Sequence, residues 1–440
     1  MMGLEKLYDF SPVWIQNLMC SAKGWMINRR RYGRGFYMEL NALEKGIYKP
    51  MEELDSFFEE VWNVPFYSAT FEANKDKKGE ELYRCFPVLT KTDVKAHLDE
   101  LHNLTSKEPQ FQMRTSGTTG GGLVFPYTVR MENKHWAVWW RYRRRLGIDL
   151  DTWCGWFGGK RIIDPNNKKA PFWRVNKPGR QVMFSTLHLT RYTVEAFRDE
   201  IARRCLPWIH GYPSHIAKFA ALALDAGLEP LPKVKWVTTG AENLLGNQML
   251  LMEKMFPNAM IRQHYGLMEG VANMSQDKDG KWLVDDDFAK VEFIPVSEEN
   301  PSICKIIGTG FSNPAFPLIR YDTGDLAEVT WKNGTPEVIR INGRSSNVLK
   351  GPDGFEINEA RLSIILHDFN NIIEAQFIQH SLTDIELRIV KNSAFSDADE
   401  RQLRTNIKEC FDKRVRVVFV YVDEIERPPS GKLKLVVSEL

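Results

Sequence analysis

Apolar residues in the middle of the chain recur first at helical and then at strand spacing. Val194, Phe197, Ile201 and Cys205 form one helix face behind Thr193, a residue type that caps helices. Ser214 opens a second predicted helix, which Gly227 ends. Pro230 and Pro232 interrupt, and residues 233–237 then alternate as a short strand. A helix over 244–256 stops before Pro257, and another strand is expected over 259–263. Repeated helix-then-strand units with short connections predict an α/β domain. The first hundred or so residues mix helical patterns with many aromatics, and the polar stretch 74–81 reads as a solvated loop.

The pattern changes near the C-terminus. Residues 358–368 look helical, and Ile385, Leu387 and Ile389 alternate with Glu386 and Arg388 as a half-exposed strand. Ser396 and Asp399 have capping-box spacing ahead of a helix face of Leu403, Ile407 and Cys410, and residues 415–420 make a closing strand. We expect a small αββαβ domain over 343–440 and a large α/β domain over 1–342.

Composition narrows the class. Lys+Arg is 59 and Asp+Glu 57, a net charge of +2, which argues against a nucleic-acid coat. The 43% apolar content excludes wholesale disorder. The 6 cysteines stand singly with no CxxC pair, so neither a zinc ribbon nor a disulfide framework is indicated and a reducing cytoplasm is expected. No apolar run reaches the ~18 residues of a membrane span. Glu5, Lys6 and Asp9 interrupt any signal-like start.

The chemistry is concentrated in five short segments. Residues 114–122, Arg-Thr-Ser-Gly-Thr-Thr-Gly-Gly-Gly, can turn backbone N–H groups and hydroxyls toward a polyphosphate, and no Lys follows to make a P-loop. A ligand-free Gly/Ser/Thr loop is the plain alternative for such a segment alone. His264-Tyr265-Gly266-Leu267-Met268-Glu269 follows the strand expected at 259–263, so an aromatic ring and a carboxylate fall near a strand C-terminus, where α/β sites form. Tyr321-Asp322-Thr323-Gly324-Asp325, Gly343-Arg344 and Pro429-Ser430-Gly431-Lys432 come next, in that order.

The ordered set resembles the adenylate-forming (acyl/aryl-CoA synthetase) superfamily, over residues ~110–434. Residues 7–17, 211–214 and 316–325 look most like its phenylacetate–CoA ligase branch, in particular CapK-type proteins of surface-polysaccharide clusters. The resemblance implies the adenylate-forming fold with a mobile C-terminal lid, and ATP with Mg²⁺. Thr115, Ser116, Gly117, Thr118, Thr119 and Gly120 would grip the phosphates. Glu269 would hold the metal and Tyr265 would stack on adenine. Gly240, Ala241 and Glu242 would line the adenine pocket with backbone groups, Asp325 would accept from the ribose hydroxyls, and Arg344 would contact ribose or phosphate. Lys432 would stabilise charge at the α-phosphorus. Phe157, Gly158, Tyr212 and Gly240 are implied acid-pocket walls. Two departures stand out: Gly121-Gly122-Leu123 replaces the Lys usual after the phosphate loop, and Ser346 occupies the hinge position usually held by Asp or Lys.

The implied reaction activates a small carboxylic acid as an acyl-adenylate and passes the acyl group to an amine, with CoA as the alternative acceptor and a non-catalytic nucleotide-binding homologue as the competing class. Lys350 could supply part of a CoA phosphate patch, but the charge of Asp353 in Lys350-Gly351-Pro352-Asp353-Gly354 opposes it, which tilts the reading to the amine. No nucleic-acid partner or membrane insertion is expected. Other features are read as structural. Trp136, Trp139 and Trp140 mark a buried helix face. Arg141, Arg143, Arg144 and Arg145 read as a solvated helix end, with a dock for a phosphorylated acceptor as the alternative. Asp285-Asp286-Asp287 reads as an exposed turn, and the spacing of His210 and His215 does not suit a metal.

Overall fold

The computed structural model describes residues 2–115, 122–345, 348–366, 369–428 and 430–440. Helices and strands are interleaved throughout, and the chain forms two compact units built from non-contiguous segments. Residues 1–26, 151–263 and 342–440 make the first unit, and 27–150 with 264–341 the second.

In the first unit, strands Trp173–Asn176, Gln181–Phe184, Cys154–Phe157, Trp208–Gly211, Trp236–Gly240 and Met260–Gly266 lie side by side in that order. Cys154–Phe157 runs parallel to both of its neighbours, and Trp208–Gly211 runs parallel to Trp236–Gly240. Helices Val194–Arg203, Pro213–Asp225 and Gly246–Met255 fall between successive strands, as parallel pairing requires. The strands face a core in which Phe157 stacks on Phe184 at 4.8 Å and Phe184 on Phe197 at 5.5 Å. Such fully buried rings each stabilise the fold by about 3–5 kcal/mol relative to Ala.

The C-terminal part of this unit carries a second sheet, ordered Arg416–Tyr421, Asp384–Lys391, Ile372–Gln379 and Val436–Ser438, with helices Glu359–Leu366 and Asp397–Cys410. It has its own core of Leu362, Phe377, Leu387 and Leu403. The capping box forms: the Ser396 hydroxyl accepts from Asp399 N–H, and Ser396 N–H donates to the Asp399 carboxylate. The sequence-expected αββαβ order is present, with Val436–Ser438 added beside Ile372–Gln379 and a hairpin, Val348–Lys350 with Glu356–Asn358, ahead of it. Ile373, Val390 and Ile425 join the core of Phe219 and Ala223, so this sheet packs on helix Pro213–Asp225.

The second unit combines mostly helical segments with an antiparallel sheet of Ala289–Pro295, Ile303–Gly310, Tyr321–Lys332 and Thr335–Arg344, the last strand ending beyond the unit's boundary. Strands Gln110–Arg114 and Val124–Thr128 pair antiparallel and flank the glycine-rich segment. Among the described residues no helix is long and apolar enough to cross a membrane.

Several local expectations change. Thr193 precedes helix Val194–Arg203, but its hydroxyl donates to the His188 carbonyl and caps nothing. Ser214 is inside helix Pro213–Asp225, behind the Tyr212 cap position and Pro213. Residues 74–81 are not all loop, because helix Gly79–Tyr83 starts within them. Asp285 is 3% exposed, and Arg141 (4%) and Arg143 (8%) are buried, so neither run is simply solvated. Arg141 pairs with Asp285 at 2.7 Å and with Asp287, which gives both runs a structural reason.

Candidate active site

In the first unit, the C-terminal ends of three adjacent parallel strands form the candidate edge. Phe157 is in register with Gly211, and Gly211 with Thr239. The next residues, Gly158, Tyr212 and Gly240, therefore emerge together, where open α/β sheets bind ligands. Close approach explains the glycines: a Cβ on Gly211 would sit 2.1 Å from the Phe157 carbonyl oxygen. Phe157 itself is fully buried against Phe184 and Phe219, so its side chain backs the edge and does not line it. The strand Trp236–Gly240 turns through Ala241, a non-glycine residue at φ +68°. Such a turn stores strain and aims the next side chain, Glu242.

Glu242 points at the N-terminus of helix Pro213–Asp225. Its carboxylate accepts from Ser214 N–H at 3.2 Å and from Leu433 N–H at 2.8 Å. Loss of water pushes its pKa up, against the pull of the Arg427 charge. Tyr212 is half-buried; desolvation and then the Glu242 charge raise its phenol pKa. Lys432 Nζ lies 5.8 Å from the centroid of the Tyr212 ring. The preceding Gly431, at φ +76°, is packed so closely that a Cβ there would fall 2.6 Å from Gly159 Cα. Gly343 is also in contact with this edge, since a Cβ on it would meet Asn243 Nδ2 at 2.3 Å, and Arg344 ends the strand Thr335–Arg344. The structure thus brings Gly158, Tyr212, Gly240, Ala241, Glu242 and Lys432 to one edge, with Gly343 against Asn243.

The second unit holds the other candidates. Tyr265 lies on strand Met260–Gly266 and Asp325 on strand Tyr321–Lys332. The Tyr265 hydroxyl donates to Asp325 Oδ2 at 2.9 Å, a tether that nothing in the local sequence signals. Asp325 is buried, and its backbone N–H donates to the Thr323 hydroxyl at 3.1 Å. Glu269 is half-buried in the turn after the strand, which Gly270 closes at φ +65°. Behind Tyr265, His264 and Trp139 bond Asn273 Oδ1 at 2.8 and 3.1 Å, and Asn273 donates to Asp285 at 2.6 Å. Thr115 closes the base of the glycine-rich segment: its N–H donates to the Leu123 carbonyl and its hydroxyl accepts from Leu123 N–H, each at 2.9 Å. Ser116, Gly117, Thr118, Thr119, Gly120 and Ser346 lie outside the described residues.

Residues 349–439 match the family described as the CapK C-terminal domain. The likeness to CapK extends over the whole chain: it is 26% identical to protein CapK of Staphylococcus aureus over 455 residues, covering 99% of this chain and 100% of that protein. Among solved structures it resembles a 2-hydroxyisobutyryl-CoA ligase in complex with 2-HIB-AMP, with a TM-score of 0.65 and 15% identity over 89% of each chain. A GH3.15 acyl acid amido synthetase also matches, with a TM-score of 0.57 and 11% identity over 89% of this chain and 92% of that one. The fold is that of adenylate-forming enzymes, with a large N-terminal domain and a C-terminal one. Lys432 lies inside the matched residues 349–439, and so do two residues that sequence reasoning missed. Arg427 donates to the Ser214 hydroxyl at 2.9 Å and the Gly431 carbonyl at 3.0 Å, and pairs with Glu374. Their one sequence signal is a charged Glu374 inside the apolar run Ile372-Ile373-Glu374-Ala375.

Proposed function

We propose that the chain activates a carboxylic acid with ATP and transfers the acyl group to an amine. A carboxylate oxygen of the acid attacks the α-phosphorus, the bond to the bridging oxygen breaks, and pyrophosphate leaves an acyl-adenylate. The amine nitrogen then attacks the acyl carbon, the carbon–oxygen bond to AMP breaks, and the nitrogen loses a proton. The observation that carries this reading is Lys432 on its Gly431 turn at the C-terminal edge of the parallel strands, in a chain with the adenylate-forming fold. A fixed cation there offsets negative charge developing on the phosphoryl oxygens.

The other roles rest on local chemistry. Asp325 accepts from Tyr265 through Oδ2, and a carboxylate is an acceptor that suits ribose hydroxyls. That same bond fixes the Tyr265 ring on its strand, as stacking on a base requires. The turn of Gly240 and Ala241 leaves backbone groups for adenine, with Arg344 for ribose or phosphate. Thr115 anchors the glycine-rich segment that would hold the phosphates. Glu269 would supply one carboxylate oxygen to the metal, and among the described residues no group of three His, Cys, Asp or Glu could hold a metal alone. Such a site suits Mg²⁺, which takes one or two carboxylates and completes its shell with phosphate and water. When bound, Mg²⁺ would neutralise phosphate charge.

CoA is the second reading, and one observation favours it. The Asp353 carboxylate pairs with Arg414 at 2.7 Å, so its charge no longer opposes a phosphate near Lys350. Pyrophosphate exchange across a panel of aryl, acyl and amino acids tests acid activation, with Glu269→Gln expected to raise the Mg²⁺ requirement. No exchange with any acid removes the reading. Product analysis with the active acid, ATP, and either CoA or an amino sugar then assigns the acceptor: rapid thioester formation overturns the amide.

A further inference from the structure

The turn bearing Lys432 is held by two charged groups that the proposed chemistry does not use. Glu242 leaves the Trp236–Gly240 strand through a strained turn and offers one carboxylate oxygen to each side. Oε2 meets Ser214 N–H at the start of helix Pro213–Asp225, where the helix dipole favours a negative charge. Oε1 meets Leu433 N–H, the residue directly after Lys432. Arg427 makes the matching set of contacts from the C-terminal segment. Its side chain is 9% exposed, it binds the Ser214 hydroxyl and the Gly431 carbonyl, and its charge is met by Glu374, which is 1% exposed. Apart from the Arg427–Glu374 pair, every polar tie named here either ends on Ser214 or holds the turn at Gly431 and Leu433.

We infer that Glu242 and Arg427 form a two-sided clasp that seats the Lys432 turn on the N-terminus of helix Pro213–Asp225, and that both are positioning residues for the adenylation step, the latter part resting on the acid-activation reading. Glu242 is the jaw from the turn after strand Trp236–Gly240 and Arg427 the jaw from the C-terminal segment, and Ser214 is the point where they meet. Opening the clasp frees Lys432 from the edge without altering Lys432 itself. The clasp uses the Glu242 side chain and makes no demand on the backbone of residues 240–242.

The test uses the full chain and two variants. Arg427→Ala opens one jaw, and Glu242→Gln, which strands no buried partner charge, opens the other if the first fails to fold. Hydrogen exchange of the peptide over 430–436 reads the seat directly, and Leu433 N–H should exchange at least about tenfold faster in both variants. With ATP and the active acid, kcat for pyrophosphate exchange should fall about tenfold or more with KM for ATP changed less than about threefold, while transfer from preformed acyl-adenylate stays within about twofold. Arg427→Lys should recover part of the loss. Unchanged exchange at Leu433 overturns the clasp, and so does an equal fall in both half-reactions. A parent chain that makes no acyl-adenylate while Leu433 still loses protection in the variants keeps the clasp and overturns the adenylation reading alone.

Discussion

Each unit holds an arginine side chain largely shielded from water, and the two are satisfied differently. Arg141 closes on charge: Asp285 and Asp287 accept from it, and Asp285 is held again by Arg145 at 3.3 Å and Asn273 at 2.6 Å. Arg427 meets one carboxylate, Glu374, and spends its other bonds on the Ser214 hydroxyl and the Gly431 carbonyl. Removing a partner from either ion pair strands a buried charge, which is costly, whereas the bond from Arg427 to the neutral Ser214 hydroxyl can be exchanged for water at little cost. The first arrangement therefore staples a helix to a strand turn permanently. The second sits where the C-terminal segment packs on helix Pro213–Asp225. Similar ion-pair chemistry thus serves stability in one region and positioning in the other.

The comparison breaks if Arg141→Ala is mild. Stranding Asp285 and Asp287 should cost about 3–5 kcal/mol in denaturant unfolding, with no selective effect on either half-reaction of the surviving folded protein. A selective loss of adenylation would mean that the staple is catalytic after all.

Lys432→Ala should be almost as large but purely kinetic. Pyrophosphate exchange should fall about 10²–10³-fold, comparable to losing an oxyanion donor, while transfer from preformed acyl-adenylate persists. Thermal unfolding should barely move. Equal loss of both halves would transfer the role to Lys434 or point to misfolding.

The two regions also share a titration behaviour. Burial, then the charge of Arg31, pushes His135 down to about 3, and burial, then the charge of Arg427, pushes His215 down to about 3. Both stay neutral in the fold while the unfolded chain takes up protons near the ordinary histidine value. Their contribution is fully present above that value and is lost as pH falls toward 3, by at most about 1.4 kcal/mol per pH unit for each histidine. Urea melts between pH 7 and 4 should show this slope, and His215→Gln should flatten part of it. An unchanged slope in that variant would locate the acid sensitivity elsewhere.

The smallest effect belongs to the tether. Tyr265→Phe keeps the ring and loses the bond to Asp325, so KM for ATP should rise with a loss of about 1 kcal/mol in kcat/KM. A change in kcat alone would contradict a binding role.

Local periodicity revealed much of the fold because helix faces and caps are local. The Ser396–Asp399 box and the stop at Gly227 (φ +67°) are examples. Features set by distant partners were not legible. Val436–Ser438 is a strand only because Phe377–Gln379 lies alongside it. Asp285 looked like surface until Arg141 reached it from 144 positions away in the chain. The site was half legible. Motif order named Lys432, Tyr265 and Asp325, but neither the Tyr265–Asp325 bond nor the Glu242–Arg427 pair leaves a trace at short range. Ser214, which the sequence predicts as a helix cap, is instead a partner of that pair.

The most direct test of acid activation follows an oxygen atom. An acid that supports exchange, labelled with ¹⁸O in its carboxylate, is incubated with the enzyme, ATP, Mg²⁺ and an amine acceptor, and the products are weighed by mass spectrometry. Attack of the carboxylate on the α-phosphorus, followed by loss of AMP, places one ¹⁸O in the phosphate of AMP and none in pyrophosphate. Label in orthophosphate with ADP as the nucleotide product would instead show a phosphotransferase and contradict the account.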